Sequence, residues 1–306
     1  MKSLFKKKPN VPEWASFFDA KEYSLFMEEV ENYFDNLNIQ YELGDGELFA
    51  GENELGFSNL GLLNLAQVCK QNELENYKEI INDHFNTLVK ANQFDKEFAK
   101  IADNFEEIKQ YIGVRLYHQE YADCIGKENT IGKDFAGDIY EMLIFDFPDS
   151  IVNVKPEQAT AWKKTEEELF EIGIENIKQN YPSTVTNENF GEFSVWFADD
   201  EHFFAPNIVF DLENRKELIG SKGALVGLPH RHSAIIYPIE NLEVVKAING
   251  LIPTIYGMNQ EGPGSLSNNL FWYKDKTFIE LPYKVEDNEL KFYPPDKFIE
   301  LLNELK

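Results

Sequence analysis

The stretch Gly223-Ala224-Leu225-Val226-Gly227-Leu228-Pro229-His230-Arg231-His232-Ser233-Ala234-Ile235-Ile236-Tyr237-Pro238-Ile239 holds two apolar runs on either side of a short polar break. Residues 224–228 and 233–239 have strand length and are rich in branched aliphatic side chains. Pro229 opens a turn between them, so the spacing predicts two paired strands with the histidines at their rim. Working outward, the apolar patterns predict strands at 192–198, 270–273, 277–281 and 290–293, and helices at 205–218, 242–252 and 295–305. Strands arrive in hairpin-like pairs between helices rather than in strict βαβ alternation. The fold class expected is therefore α+β, with mixed or antiparallel sheets packed against helices in two lobes.

Upstream, residues 139–147 read as a buried strand, 111–117 as another, and Pro156 opens a helical region that ends before Pro182. Nearer the start, Tyr23, Phe26, Met27, Val30, Tyr33, Phe34 and Leu37 recur at helical spacing, with Asp19 placed to cap the helix. Residues 39–49, with Gly44-Asp45-Gly46 at the centre, have a hairpin pattern. The segment 60–91 predicts two helices broken near Gln71 and Asn72, and residues 94–108 a further short one. The polar segment 120–138, with Gly126, Gly132 and Gly137, is the candidate boundary. It divides the chain into a basic tail at 1–16, an acidic α+β lobe at 17–135 and a second α+β lobe at 136–306.

Of 306 residues, 43% are hydrophobic, enough for a packed core, and the formal net charge is −25. Between Phe17 and Leu60 stand eleven Asp or Glu residues and one lysine, Lys21. Such a surface repels phosphate backbones and anionic lipid headgroups, so neither nucleic acid nor membrane is an expected partner; a protein with a basic surface is. Cys69 and Cys124 stand far apart without a CxxC pattern, which supports neither a disulfide framework nor a structural zinc site. Lys2, Lys6, Lys7 and Lys8 precede no apolar run of signal-peptide length, and the expected location is the cytoplasm.

Several segments carry a family resemblance. They are Glu141-Met142-Leu143-Ile144-Phe145-Asp146, the segment 162–165 opening a helix, Gly223-Ala224-Leu225-Val226-Gly227-Leu228-Pro229, and Ser265-Leu266-Ser267 before Leu270-Phe271-Trp272-Tyr273. On these the stretch 137–283 resembles the bacterial family of unknown function typified by YtpQ. The resemblance implies a shared fold and no particular activity.

His230-Arg231-His232 is the densest cluster of imidazole and cation. On a strand, residues two apart face the same side, so both rings could meet one divalent metal. Asp199, Asp200, Glu201 or His202 would then complete the site; the ligand set taken forward is His230, His232, His202 and Asp200. The alternative is a plain turn. The carboxylates at 199–201 likewise read either as an acid and base pair or as caps of the following helix. Residues 257–265 form a glycine-rich connection with no lysine to hold phosphate. Cys124 has His118 and Asp123 nearby in sequence; Cys69 falls on an apolar helical face; Ser265 and Ser267 lack a nucleophile elbow. The function expected is a non-catalytic protein-interaction module acting through the acidic lobe, with no cofactor. The alternative is a metal-assisted hydrolase using His230 and His232.

Overall fold

The computed structural model describes residues 11–305 apart from 52, 54, 57, 263, 287 and 288. The described chain forms an α+β fold of antiparallel sheets and helices, divided into two compact units. One is Met1–Ala102 with Phe147–Ser150, the other Asp103–Asp146 with Ile151–Lys306.

In the first unit, Asp19 and Glu22 form a reciprocal capping box that starts α1 (Ala20–Asn36). A small sheet follows, β1 (Glu42–Leu43), β2 (Glu47–Phe49) and β3 (Asn59–Gly61), all antiparallel. Helices α2 (Leu63–Lys70) and α3 (Tyr77–Phe98) complete it, parted at Gln71 as the pattern predicts. The apolar stripe of α1 packs Phe34 and Tyr33 on Phe85 of α3, with ring centroids 5.0 and 4.8 Å apart. Lys2 to Lys8 of the expected basic tail lie outside the described residues. From Val11 on, the stretch is structured: Glu13–Ala15 make a 3-10 turn, Ala15 is fully buried, and the Trp14 ring sits 6.1 Å from Tyr23. Pro12 precedes this turn, and burial of Ala15 and Phe18 holds it on the core.

The second unit opens with α4 (Phe105–Ile108), β4 (Ile112–His118) and α5 (Gln119–Ile125), then β5 (Gly132–Ala136), β6 (Ile139–Asp146) and β7 (Ile151–Asn153). Strands β4, β5 and β7 all pair with β6, whose near-continuous burial matches its apolar run. The boundary between units thus falls at Ala102 and Asp103, not within 120–138. That polar segment folds into α5 and the exposed strand β5, and its glycines serve turns: Gly126 and Gly137 have φ of +82° and +53°. Next come α6 (Pro156–Trp162) and α7 (Glu166–Asn180), both within the expected helical region. Lys163 turns left-handed, and Thr165 caps α7 anew.

The remaining strands, β8 (Val185–Asn189), β9 (Ser194–Asp199), β10 (Ala224–His230), β11 (Ser233–Pro238), β12 (Leu270–Lys274) and β13 (Thr277–Glu280), form one antiparallel sheet in the order β13-β12-β10-β11-β9-β8. Both of its faces are covered, which is why β10 and β11 read as unbroken apolar runs rather than alternating ones. Leu225 and Ile235 face one core with Ile252 and Ile255 of α8 (Val244–Glu261), while Val226 and Ile236 face another with Ile208 and Leu212. The latter two lie in Ala205–Asn214, a 3-10 helix rather than the α-helix expected. Helix α8 continues past the expected end at 252 with Pro253 inside it, so most of the glycine-rich segment 257–265 is helical. A hairpin, β14 (Tyr283–Glu286) with β15 (Glu289–Phe292), and α9 (Asp296–Glu304) close the chain. No described helix is long and apolar enough to cross a membrane.

Candidate functional site

Strand pairing brings the sequence-predicted residues of the second unit together. Ser233 of β11 pairs with Asp199 of β9, so the β10–β11 turn lies beside the loop that leaves β9. Asp200 N–H donates to His232 O at 3.0 Å, and the Ser233 hydroxyl donates to Asp199 Oδ1 at 3.0 Å. The turn is braced from α8 and the segment after it as well: Asn259 Nδ2 donates to Pro229 O at 2.9 Å, and Arg231 N–H donates to Gly264 O at 3.0 Å.

The four residues do not present a common ligand face, because each imidazole lone pair already has a donor. His232 Nδ1 lies 3.0 Å from Asp200 O, a carbonyl that can only accept, so its lone pair is on Nε2, where Arg231 Nε donates at 3.1 Å. His230 Nδ1 accepts from His232 N–H at 3.3 Å, and His202 Nδ1 accepts from Phe204 N–H at 3.1 Å. The Nε2 of His202 faces Asp200 Oδ2 at 3.4 Å. His230 and His232 are also not two residues of one strand: β10 ends at His230, and Arg231 with His232 form the turn. Among the described residues, no group of three or more His, Cys, Asp or Glu side chains is arranged to hold a metal ion. Burial pushes the His202 imidazole below its usual value against the pull of Asp200, and burial with His232 does the same to His230.

Around this hairpin tip stand residues that no motif marked. Asn207 Nδ2 donates to Val114 O at 2.7 Å, tying the chain just after Phe203 to strand β4, which carries Arg115 and Tyr117. The Arg115 guanidinium lies over the rings of Tyr117 and Phe203 at 4.8 and 5.3 Å. The Arg231 guanidinium lies over Phe203 at 4.3 Å. Tyr117 in turn stacks on Tyr121, centroids 4.7 Å apart. The result is a ladder of alternating guanidinium and aromatic groups. Nearby, Asp146 is held above the usual carboxylate range by burial, and the Tyr181 phenol, bonded to Asp146, is pushed up to about 12, chiefly by burial. One signal was in the sequence: only three arginines occur, Arg115, Arg215 and Arg231, and two of them meet here.

The other serine and cysteine candidates resolve into structure. Ser267 donates to Asp138 Oδ1 at 2.5 Å, and His118 Nε2 faces Asp138 Oδ2 at 3.3 Å, so the serine bonds the carboxylate and not the imidazole that would activate it. Cys69 is buried, its thiol pushed up to about 12 by burial, and Cys124 is exposed.

The first unit holds a different feature, an open groove of about 1380 Å³ between the end of α1 and the β1–β2 hairpin. Leu37 and Phe49 leave 46% and 41% of their surface exposed there, beside Ile39 and Leu55. Asp35 and Glu42 line it too, and the Tyr41 hydroxyl donates to Asp35 Oδ1 at 3.4 Å. Burial first, then the charges of Glu31 and Asp35, push the Tyr41 phenol up to about 12.

Comparison with protein families, with curated proteins and with solved structures gives no match to this chain. The resemblance carried by residues 137–283 therefore rests on those segments alone.

Proposed function

We propose that this protein is a non-catalytic interaction module that holds a basic, partly apolar segment of a partner protein in the groove of the first unit. The observation that carries this reading is the pairing of exposed Leu37 and Phe49 with the carboxylates of Asp35 and Glu42 on one concave surface. Apolar side chains left in water beside a groove mark interaction surfaces, and a carboxylate rim selects a cationic partner and speeds its approach. The metal-assisted alternative requires His230, His232 and His202 to give up their present donors before any could ligate, and no observation favours that rearrangement.

The test is titration with a synthetic amphipathic peptide of alternating lysine and leucine. Binding to the native chain should weaken at least about tenfold with Asp35→Lys combined with Glu42→Lys, and should weaken as salt rises. The same charge change at the exposed Glu166 and Glu167 of α7 should leave affinity unaltered. Equal weakening by both pairs of substitutions would show that the peptide reads net charge only, and would sink the groove reading.

A further inference from the structure

We propose that Arg115 and Arg231 form a binding site for a doubly charged oxyanion, the phosphate of a phosphomonoester or the paired carboxylates of a small diacid. The site is in the other unit from the groove and stands whether or not the groove takes a basic partner.

The first argument is scarcity. In a chain of net charge −25, carboxylates are the default neighbour of any cation, yet neither arginine forms an ion pair with one among the described residues. The third, Arg215, does: its Nε donates to Glu217 at 2.8 Å. Asp146 and Asp200, two carboxylates of the same unit, have other neighbours. Asp146 accepts from Tyr181, and Asp200 faces His202.

The second argument is cost. Arg115 and Arg231 meet at a single ring, Phe203, and each is half-buried. Arg115 Nε is a buried donor with no hydrogen-bond partner. Burial and the charge of Arg115 both work against the charged form of Arg231. Two like charges drawn out of water with no carboxylate in ion-pair contact, Asp146 acting on Arg115 only from beyond that distance, destabilise a fold, and such arrangements gather where a ligand supplies the missing charge.

The third argument is geometry. A guanidinium laid on an aromatic face keeps its in-plane N–H fork for a ligand, and that fork matches phosphate and carboxylate oxygens bidentately. Arg231 spends Nε on His232 and keeps its terminal nitrogens, whereas Arg115 keeps Nε and has the Tyr117 hydroxyl within reach of a terminal nitrogen. Phe203, 38% exposed, opens the site to solvent. The stacked rings also resemble a platform for single-stranded nucleic acid, but two cations in an acidic chain release too few counterions to hold a polyanion.

The experiment is calorimetric titration of the full chain with inorganic phosphate, pyrophosphate and succinate at low ionic strength. Binding with a Kd of about 1 mM or tighter is expected for at least one of them, and the phosphate and succinate arms tell the two oxyanion sources apart. Arg115→Gln and Arg231→Gln should each weaken it at least about tenfold, without lowering the melting temperature of the ligand-free chain, because one of two repelling charges is gone. Arg231→Lys, which keeps the charge and loses the fork, should bind with intermediate strength. The proposal is overturned by any of three results: none of the anions binding in the millimolar range, native affinity in both glutamine variants, or a single-stranded oligonucleotide bound more tightly than phosphate. A drop in melting temperature for both glutamine variants with no anion response would assign the arginines to stacking alone.

Discussion

The groove of the first unit and the hairpin tip of the second are built on opposite principles. The groove is continuous in sequence: its lining runs from Asp35 to Leu55, from the end of α1 through the β1–β2 hairpin to the segment after β2. The tip is assembled from β4, the loop after β9 and the β10–β11 turn, with Arg115 and Arg231 more than a hundred residues apart. Their surroundings differ in the same way. Around the groove, polar groups face solvent over an aromatic helical core, whereas in the second unit polar groups are carried inward by sheets covered on both faces. Local sequence builds a surface cheaply; a half-buried polar cluster needs long-range pairing to hold it.

The aromatic core beneath the groove should show the largest response. Phe85 is fully buried and touches both Tyr33 and Phe34, so Phe85→Ala removes a central part of the packing of α1 on α3. Denaturant unfolding should show a loss of about 3–5 kcal/mol. A loss under about 1 kcal/mol would mean that the first unit does not depend on this core, and the contrast with the sheet-built unit would collapse.

An opposite sign is expected in the second unit. Glu141 sits in the middle of β6, 3% exposed, with Oε1 lacking a hydrogen-bond partner and Lys133 no nearer than 3.7 Å. Burial holds its carboxyl above the usual value, so the folded chain bears the cost of the charge at neutral pH. Glu141→Met should therefore raise stability by about 1–2 kcal/mol near neutrality. The gain should shrink as pH falls through the raised folded value, because the native carboxyl is then neutral and its cost is gone. A stability loss on Glu141→Met would show that the Lys133 pair outweighs desolvation.

What the sequence disclosed follows the same division. Periodicity located α1, the β1–β2 hairpin, the β10–β11 hairpin and the terminal helix, since each is decided by neighbours within a few residues, and it placed the Asp19 cap. It erred where tertiary packing overrides local signal: the polar segment 120–138 folds into α5 and the paired strand β5, and Pro253 is absorbed inside α8. At the tip, the meeting of the His230–His232 segment with the Asp199–His202 loop was legible as a possibility, because both flank predicted strands. Which atoms face which was not, because a lone pair's partner depends on register, and one residue of slip reverses every side chain. Arg115 carried no local mark at all, being one polar residue on a buried strand.

The histidines offer a finer test of the same contrast. Burial lowers His202 and His230 in the second unit and His84 in the first, so in each case the unfolded chain takes up a proton more readily than the folded one. Their contribution is therefore fully present above the unfolded histidine value of about 6.5 and is lost as pH falls below it. The raised carboxyls of Asp146 and Glu141 work in the other direction, but only at lower pH, where carboxylates begin to protonate in the folded state. Stability measured from about pH 7 toward pH 5.5 should decline gently. His202 faces Asp200, which favours its charged form, and His232, which opposes it, with Asp146 further off. In His202→Gln the amide oxygen can still accept from Phe204 N–H and the NH2 can still face Asp200, so structure is kept while the titration is removed. The decline should be shallower in that variant by the share His202 contributes, and His84→Gln should remove a separate share in the first unit. An unchanged slope in His202→Gln would mean that Asp200 cancels the burial of that ring. The tip would then be poised electrostatically by its carboxylates and not by exclusion from water.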